Sequence, residues 1–520
     1  MKKAPAKRAL KKPDKKSDFP TNSVKDIFSM VLKAGIAQKQ WEVLPLKTRI
    51  KYIKKVRGYI AEHADEIAEI ISLANGKTLT DAMATEVLPA ILAIDYYCNN
   101  ARKFMKEKKV SPGTLLFINK RSLAVRVPFG VVGIISPWNY PFSIPFSEVI
   151  MALLAGNTVL LKCASETGAV ANVIHKCFES AGLPEYVFNS VYMPGAAAGD
   201  AFLDAGVDKL FFTGSVNVGK YLMKQASKTL TPLVLELGGN DPMIVCKDAD
   251  LERAAAGAVW AGFSNTGQSC GGVERIYVHE LVYDKFLNIL KTKIEALRIG
   301  DGLDFNTDIG PLAVERQIRK VNEHVTDALK KGARIYAKSD VPKGLKGYFS
   351  PCLVITNVNH NMLLMKEETF GPVVGVMPYS SIDEAIELAN DSDLGLTGSV
   401  WSKNRKNAIG IARRIKAGAV TINDHLMSHG IAATPWGGFK ESGIGRSHGE
   451  LGFLEMTQPQ IIVNDIMPFA KRNFWWHPNS KRVYDGIKGA LLFFYGKGIM
   501  KRLGGLKDLI KVFPDTFRRK

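Results

Sequence analysis

The chain is predicted to be an α/β protein organised on a doubly wound parallel sheet, and three observations predict it. Five short β-rich runs, at 131–136, 158–162, 187–193, 209–213 and 233–237, each end in a turn and are separated by segments of helical length. Alternating β and α units join parallel strands through right-handed crossovers. A second alternating section runs from Pro242 to about Trp436 and opens on the strand-like Met243-Ile244-Val245. Finally, 520 residues at 46% apolar content exceed one ordinary core and require two or more domains.

Taken in order, the chain begins with a Lys/Pro/Ala arm over 1–21 that has little to bury and is expected to be disordered. The arm has neither the apolar centre of a secretory signal nor the Ser/Arg-rich amphipathic pattern of a transit peptide. Between 23 and 108, apolar residues such as Ile60, Ile67, Ile70 and Ile71 recur at helical spacing and predict a mainly helical section. Residues 115–127 alternate like a strand pair turning at Asn119-Lys120. The first long β-α section then supplies a sheet of the dinucleotide-binding kind.

The formal charge of +20 resides at the ends. Residues 1–20 carry eight Lys/Arg against two Asp, and residues 471–520 carry thirteen against three, so the body is close to neutral. The basic character belongs to the tails, and nucleic acid is not expected as a partner because no DNA- or RNA-reading motif accompanies it. Six cysteines, at 98, 163, 177, 246, 270 and 352, show neither CxxC pairing nor metal-ligand spacing. They read as reduced thiols of a cytoplasmic protein, and no metal site is expected.

Six stretches carry possible chemistry. In Asn265-Thr266-Gly267-Gln268-Ser269-Cys270-Gly271-Gly272, small residues flank one thiol, which is either an incidental buried cysteine or a nucleophile. Ser136-Pro137-Trp138-Asn139 follows the first strand of the sheet, where ligands bind; Asn139 either caps a turn or donates to an oxyanion. Thr213-Gly214-Ser215, with Gly219 further on, leads from a strand into a helix whose amides suit a pyrophosphate. Glu236-Leu237-Gly238 places a carboxylate at an apolar strand end, as an ion-paired structural group or as a general base. Glu367-Glu368-Thr369-Phe370 and Pro435-Trp436-Gly437 are tight aromatic turns.

These segments, in this order and with Cys270 34 positions after Glu236, resemble the aldehyde dehydrogenase superfamily from about residue 22 to 466. The resemblance implies a homodimer or homotetramer using NAD or NADP. It implies a dinucleotide domain over 22–112 and 129–238 and a catalytic domain over 239–452. Oligomerisation strands are implied at 113–128 and 453–465, forming a bridging β-hairpin. Cys270 would be the nucleophile, Glu236 the general base, and Asn139 with the Cys270 amide the oxyanion donors. Ser136, Pro137, Trp138, Lys162, Ser165, Gly195, Gly199, Gly214, Ser215, Gly219, Glu236, Leu237, Gly238, Glu368 and Phe370 would hold the cofactor. Members that pass the acyl group to coenzyme A usually lack the glutamate, so Glu236 favours hydrolysis.

The sequence departs from the family pattern twice. Cys163-Ala164-Ser165 follows Lys162, with Ser165 where the family commonly has a ribose-binding Glu; losing that carboxylate removes repulsion toward a 2′-phosphate, so NADP is expected to be tolerated. An extension over 466–520 contains Phe474-Trp475-Trp476, a run of eight uncharged residues between Lys488 and Lys497, and Leu503, Leu506, Ile510 and Phe513 among lysines. It is too short in apolar run to cross a bilayer, which needs about 20 residues. It suits either a peripheral contact with an anionic membrane or packing on its own body, and six glycines between 486 and 505 count against a helix there. Membrane contact would favour medium- or long-chain aliphatic aldehydes. A semialdehyde dehydrogenase, marked by an anionic-substrate anchor in the loop 425–434, and a non-catalytic, tail-recruited scaffold are the alternatives.

Overall fold

The computed structural model describes residues 20–473 and 475–517, so the N-terminal arm to residue 19, Phe474 and the last three basic residues lie outside the described part. The chain forms two compact units. One contains the chain up to Phe104 and Pro128–Gln458; the other contains Met105–Val127 and Pro459 onward.

The larger unit holds two large sheets and a two-stranded one, Leu394–Gly395 with Phe439–Lys440. In the first, five parallel strands stand in the spatial order Leu233–Glu236, Lys209–Thr213, Val131–Ile135, Thr158–Lys162, Phe188–Val191, with Gly443–Ile444 antiparallel at one edge. Four of the five predicted strands match within one residue at either end, and 187–193 contracts to Phe188–Val191. The order reverses at Val131–Ile135, so the crevice beyond its carboxyl end is the topological switch point of a doubly wound sheet. These strands read as continuous apolar runs because helices cover both faces; Val131–Ile135 and Thr158–Lys162 are buried at every position. The second sheet has seven strands, parallel except for its edge strand Arg334–Lys338, with Asp241–Val245 and Val273–His279 side by side near its middle. The helical section is confirmed as Val24–Glu42, Leu46–Glu62, Ala64–Asn75 and Leu88–Phe104, with a short α-turn and a π-helical turn, Met83–Val87, before the last.

In the smaller unit, the expected strand pair at 115–127 is corrected. Residues Leu115–Phe117 form a 3-10 turn, capped where the Thr114 hydroxyl accepts from the Leu116 amide. The chain is extended only over Lys120–Pro128, which pairs antiparallel with Lys108–Val110 and lies beside Thr457–Asp465. The apolar residues of 115–118 sit on this turn rather than on a pleat, with Leu115, Phe117 and Ile118 exposed. The C-terminal glycines are a second correction, since helices Lys481–Tyr495 and Ile499–Val512 pack as a hairpin. A Cβ on Gly489 would stand 2.6 Å from the Gly505 carbonyl, and one on Gly505 2.5 Å from the Gly489 carbonyl. Those glycines allow two backbones to touch, a gain in packing that outweighs about 1 kcal/mol of helix propensity each. Among the described residues, no helix is long and apolar enough to cross a membrane.

Candidate active site

Helix Leu251–Phe263 delivers the chain to a turn in which Asn265 and Thr266 take φ of 53° and 58°. Left-handed backbone costs non-glycine residues about 1–3 kcal/mol each, so neighbours must hold it. Asn265 Nδ2 donates to the Asn139 carbonyl (3.0 Å), Thr266 Oγ1 donates to the Gly310 carbonyl (3.0 Å), and Gln268 Oε1 accepts from the Ala313 amide (2.9 Å). Cys270 follows, and the chain enters strand Val273–His279. A Cβ on Gly239 would stand 2.3 Å from the Cys270 carbonyl, so the loop after Glu236 reaches the cysteine only as glycine. Of the six cysteines, Cys270 alone is partly exposed. Burial, then Glu368, Asp241 and Glu236, push its thiol upward.

Asn139 is buried against this loop. Its Nδ2 donates to the Gln268 carbonyl at 3.2 Å, which leaves one further N–H. Its backbone carbonyl accepts from Lys77 Nζ at 2.9 Å, and Lys77 pairs with Glu86 at 2.6 Å, both side chains being fully buried. Glu86 in turn accepts from the amides of Phe142 (3.0 Å) and Ser143 (2.8 Å) at the start of helix Ser143–Ala155. One buried ion pair thus grips the Asn139 turn at both ends. Removing one partner of such a pair costs about 3–5 kcal/mol, whereas replacing both is often neutral. Lys77→Met/Glu86→Gln is therefore expected to fold but to lower kcat by about 100-fold, the effect of a misplaced reacting group. In an Asn139→Ala background the same pair of changes is expected to cost little more; additive losses would refute the positioning role.

Glu236, at the end of its strand, is buried, and neither carboxylate oxygen has a hydrogen-bond partner among the described residues. It is raised well above the ordinary carboxylate range, first by burial and then by the charge of Glu148, with Arg446 and Ser447 opposing. Glu148 is itself pushed up to about 8 by burial, against a lowering by the Thr213 hydroxyl, which donates to it at 3.4 Å. Both glutamates, Cys270 and His448 border one small cavity.

Two larger cavities meet at the sulfur. On one side, Pro137, Trp138, Asn139, Gly214, Ser215, Glu236, Leu237, Gly238, Glu368 and Phe370 line a polar cavity of about 300 Å³ with Cys270. Glu368 accepts from the Gly239 amide at 3.1 Å and is raised to about 8 by burial and then Glu274. Glu274 accepts from the Thr369 and Phe370 amides (both 2.8 Å) and from Asn240 Nδ2 (2.8 Å), fixing Phe370 at φ 54°. The Phe370 ring meets Trp138 edge-on at 5.5 Å. Pro137, Trp138 and Gly214 also border a cleft of about 620 Å³ at the switch point, with Ser136, Lys162, Gly195 and Gly199. Ser165 and Gly219 line neither cavity: Ser165 is exposed on the turn after Lys162, and Gly219 packs beneath Leu237.

The cleft fits a dinucleotide. Gly195 leaves room where a Cβ would come within 3.2 Å of Lys162 Nζ, and helix Val216–Ala226 begins at the wall, where Asn217 contributes. Arg316 reaches the same wall and pairs with Glu166 at 2.8 Å, drawing off the one carboxylate next to Ser165.

On the other side, a cavity of about 290 Å³ is bounded by Leu88, Leu92, Tyr140, Ile144, Trp260, Leu426, Met427, His429 and Trp436, again with Cys270. It contains no Lys or Arg. Burial lowers His429 to about 4, so it is neutral at pH 7. Tyr140 and Ile144 border it, whereas Ser143 and Ser147 do not.

Sequence reasoning missed Lys77, Glu86, Glu148 and Glu274. Glu148 did leave a trace, as the one charged residue between Arg126 and Lys162.

The profile of the aldehyde dehydrogenase family matches residues 11–462. A 4,4'-diapolycopene aldehyde oxidase from Methylomonas sp is 36% identical, covering 94% of this chain and 90% of its own length. That coverage extends past residue 462 into the C-terminal region. A Mycolicibacterium smegmatis protein described as a "Putative succinate-semialdehyde dehydrogenase" of NADP(+) type is 36% identical, covering 85% of each chain. An aldehyde dehydrogenase from Bacillus cereus, solved as an NAD+ complex, is 34% identical with a TM-score of 0.81, covering 86% of this chain and 90% of that one. The chain belongs to the aldehyde dehydrogenase family. It is an NAD(P)-dependent aldehyde dehydrogenase, an oxidoreductase.

Proposed function

We propose that the protein oxidises medium- or long-chain aliphatic aldehydes to carboxylic acids. The observation that carries this reading is the uncharged, aromatic- and leucine-walled cavity that ends on Cys270. Cys270, which is partly exposed, gives its proton to solvent, and its sulfur attacks the aldehyde carbon. Asn139 Nδ2 and the Cys270 amide donate to the oxyanion, a contribution worth about 3–4 kcal/mol per donor. Glu368, Phe370 and the Lys162 cleft would hold the nicotinamide, which would take the hydride lost as the Cys270 thiohemiacetal becomes a thioester. Glu236 then takes a proton from the water that hydrolyses the Cys270 thioester. The burial of Glu236, which raises it well above the ordinary carboxylate range, supports that role.

The test is the initial rate with acetaldehyde through decanal and succinic semialdehyde, with NAD and with NADP. Efficiency is expected to rise with chain length and to differ less than about tenfold between the cofactors, since Glu166 is held by Arg316. A semialdehyde preference is the second reading, favoured by the name of the Mycolicibacterium relative; succinic semialdehyde as the best substrate would establish it. The loop 425–434 offers no Lys or Arg to hold its carboxylate.

The C-terminal hairpin supports a peripheral membrane contact. Tyr484, Ile487, Leu491 and Tyr495 form one exposed face of its first helix, and Ile499, Leu503 and Ile510 one of its second, with Lys481, Lys488, Lys497 and Lys501 nearby in sequence. Co-sedimentation with phosphatidylserine vesicles is expected, to be lost in Leu491→Asp/Leu503→Asp; equal recovery with neutral vesicles would discount the lysines. Strand Thr457–Asp465, on a sheet edge with Ile461, Ile462 and Val463 exposed, supports a homo-oligomer.

A further inference from the structure

We infer that the aldehyde site has a second compartment: an apolar groove beyond the mouth of the Cys270 cavity that takes the distal part of a long, neutral-ended alkyl chain. This rests on the apolar-aldehyde reading and extends it. The Cys270 cavity has a direction, with Trp436 buried beside the sulfur while Leu88 and Leu92 stand about half exposed, at 49% and 47%. A chain bound by its carbonyl at Cys270 therefore leaves past Leu88. There it meets a groove of about 640 Å³ lined by Leu79, Met83, Leu303 and Phe305, and Ala84 and Leu88 border both spaces.

The local structure makes this junction. Ala84 lies in the π-helical turn Met83–Val87 and Leu88 begins the helix that follows, so a small side chain and a leucine stand at the divide. On the far wall, Phe305 is 79% exposed, yet its loop is pinned. The Leu303 amide donates to Asp301 Oδ1 (3.1 Å), the Asn306 amide to Asp304 Oδ1 (2.9 Å), and the Thr307 amide to the Asp304 carbonyl (2.9 Å). A phenyl ring held in water by an ordered loop is an apolar surface awaiting cover, and the groove's continuity with the site makes the substrate's own chain the occupant. Asp65 and Glu69 also border the groove, so a carboxylate at the far end of the chain is repelled while a methyl or hydroxyl is accepted.

The experiment is kcat/KM for n-alkanals from butanal to octadecanal, with wild type and with Phe305→Asp and Leu303→Asp, each at a position that is exposed or half-buried. Each methylene taken from water is worth about three- to fourfold. In wild type the rise is expected in two stretches, one as the Cys270 cavity fills and a second beyond it. Both variants are expected to keep the slope of the first stretch and flatten the second, through KM rather than kcat. A wild-type plateau after the first stretch, or a second stretch that survives both substitutions, overturns the groove and leaves the apolar-aldehyde reading standing. Absence of any first stretch overturns both.

Discussion

Cys270→Ala is expected to abolish aldehyde oxidation, by a factor on the order of 10⁴ or more, while leaving dinucleotide binding in place. The other five cysteines are buried, so none can substitute. Alanine fits the space left by the thiol and disturbs neither Lys162, Glu368 nor the Glu274 clamp. Reduced-cofactor formation reads the first effect and quenching of tryptophan fluorescence by NAD or NADP the second. Turnover near the wild-type rate in Cys270→Ala would remove the nucleophile assignment altogether. Because burial and three carboxylates hold the thiol protonated, acylation in the native enzyme should quicken with rising pH.

Glu236→Gln is expected to separate the two halves of the reaction. Acylation proceeds, giving a burst of reduced cofactor equal to the number of Cys270 sites, and hydrolysis then slows by about 10²–10⁴-fold. Steady turnover without a burst would move the base elsewhere. A companion change sets the sign of the pH dependence. Negative charge on Glu148 disfavours ionisation of Glu236, so Glu148→Gln eases it and makes the base available at lower pH. The acid limb of the hydrolysis profile should shift downward in Glu148→Gln; an upward shift would mean that Glu148 helps the base rather than opposing it.

The strands of the first sheet, the opening strand of the second and the Cys270 loop were legible because each has a local signature. Buried parallel strands are continuous apolar runs, and a thiol among glycines is conspicuous. What escaped were groups whose meaning is a pairing across the chain. Lys77 and Glu86 look like two ordinary charges in a helical stretch until a π-helical turn brings them to either end of the Asn139 loop. Glu148 lies in Ser143–Ala155, a helix buried all round, so no amphipathic face marked it as unusual. The C-terminal glycines misled for the same reason: propensity counts a residue alone, whereas Gly489 and Gly505 answer to each other.

The Glu274 clamp has a mechanical consequence. Glu274 is four residues beyond Cys270, so the chain between them spans at most about 14 Å. The strand that anchors the nucleophile thereby also carries the brace for the Phe370 wall on the cofactor side. Cys270 and the Phe370 wall are thus referenced to one strand, as two tools are set in a single jig.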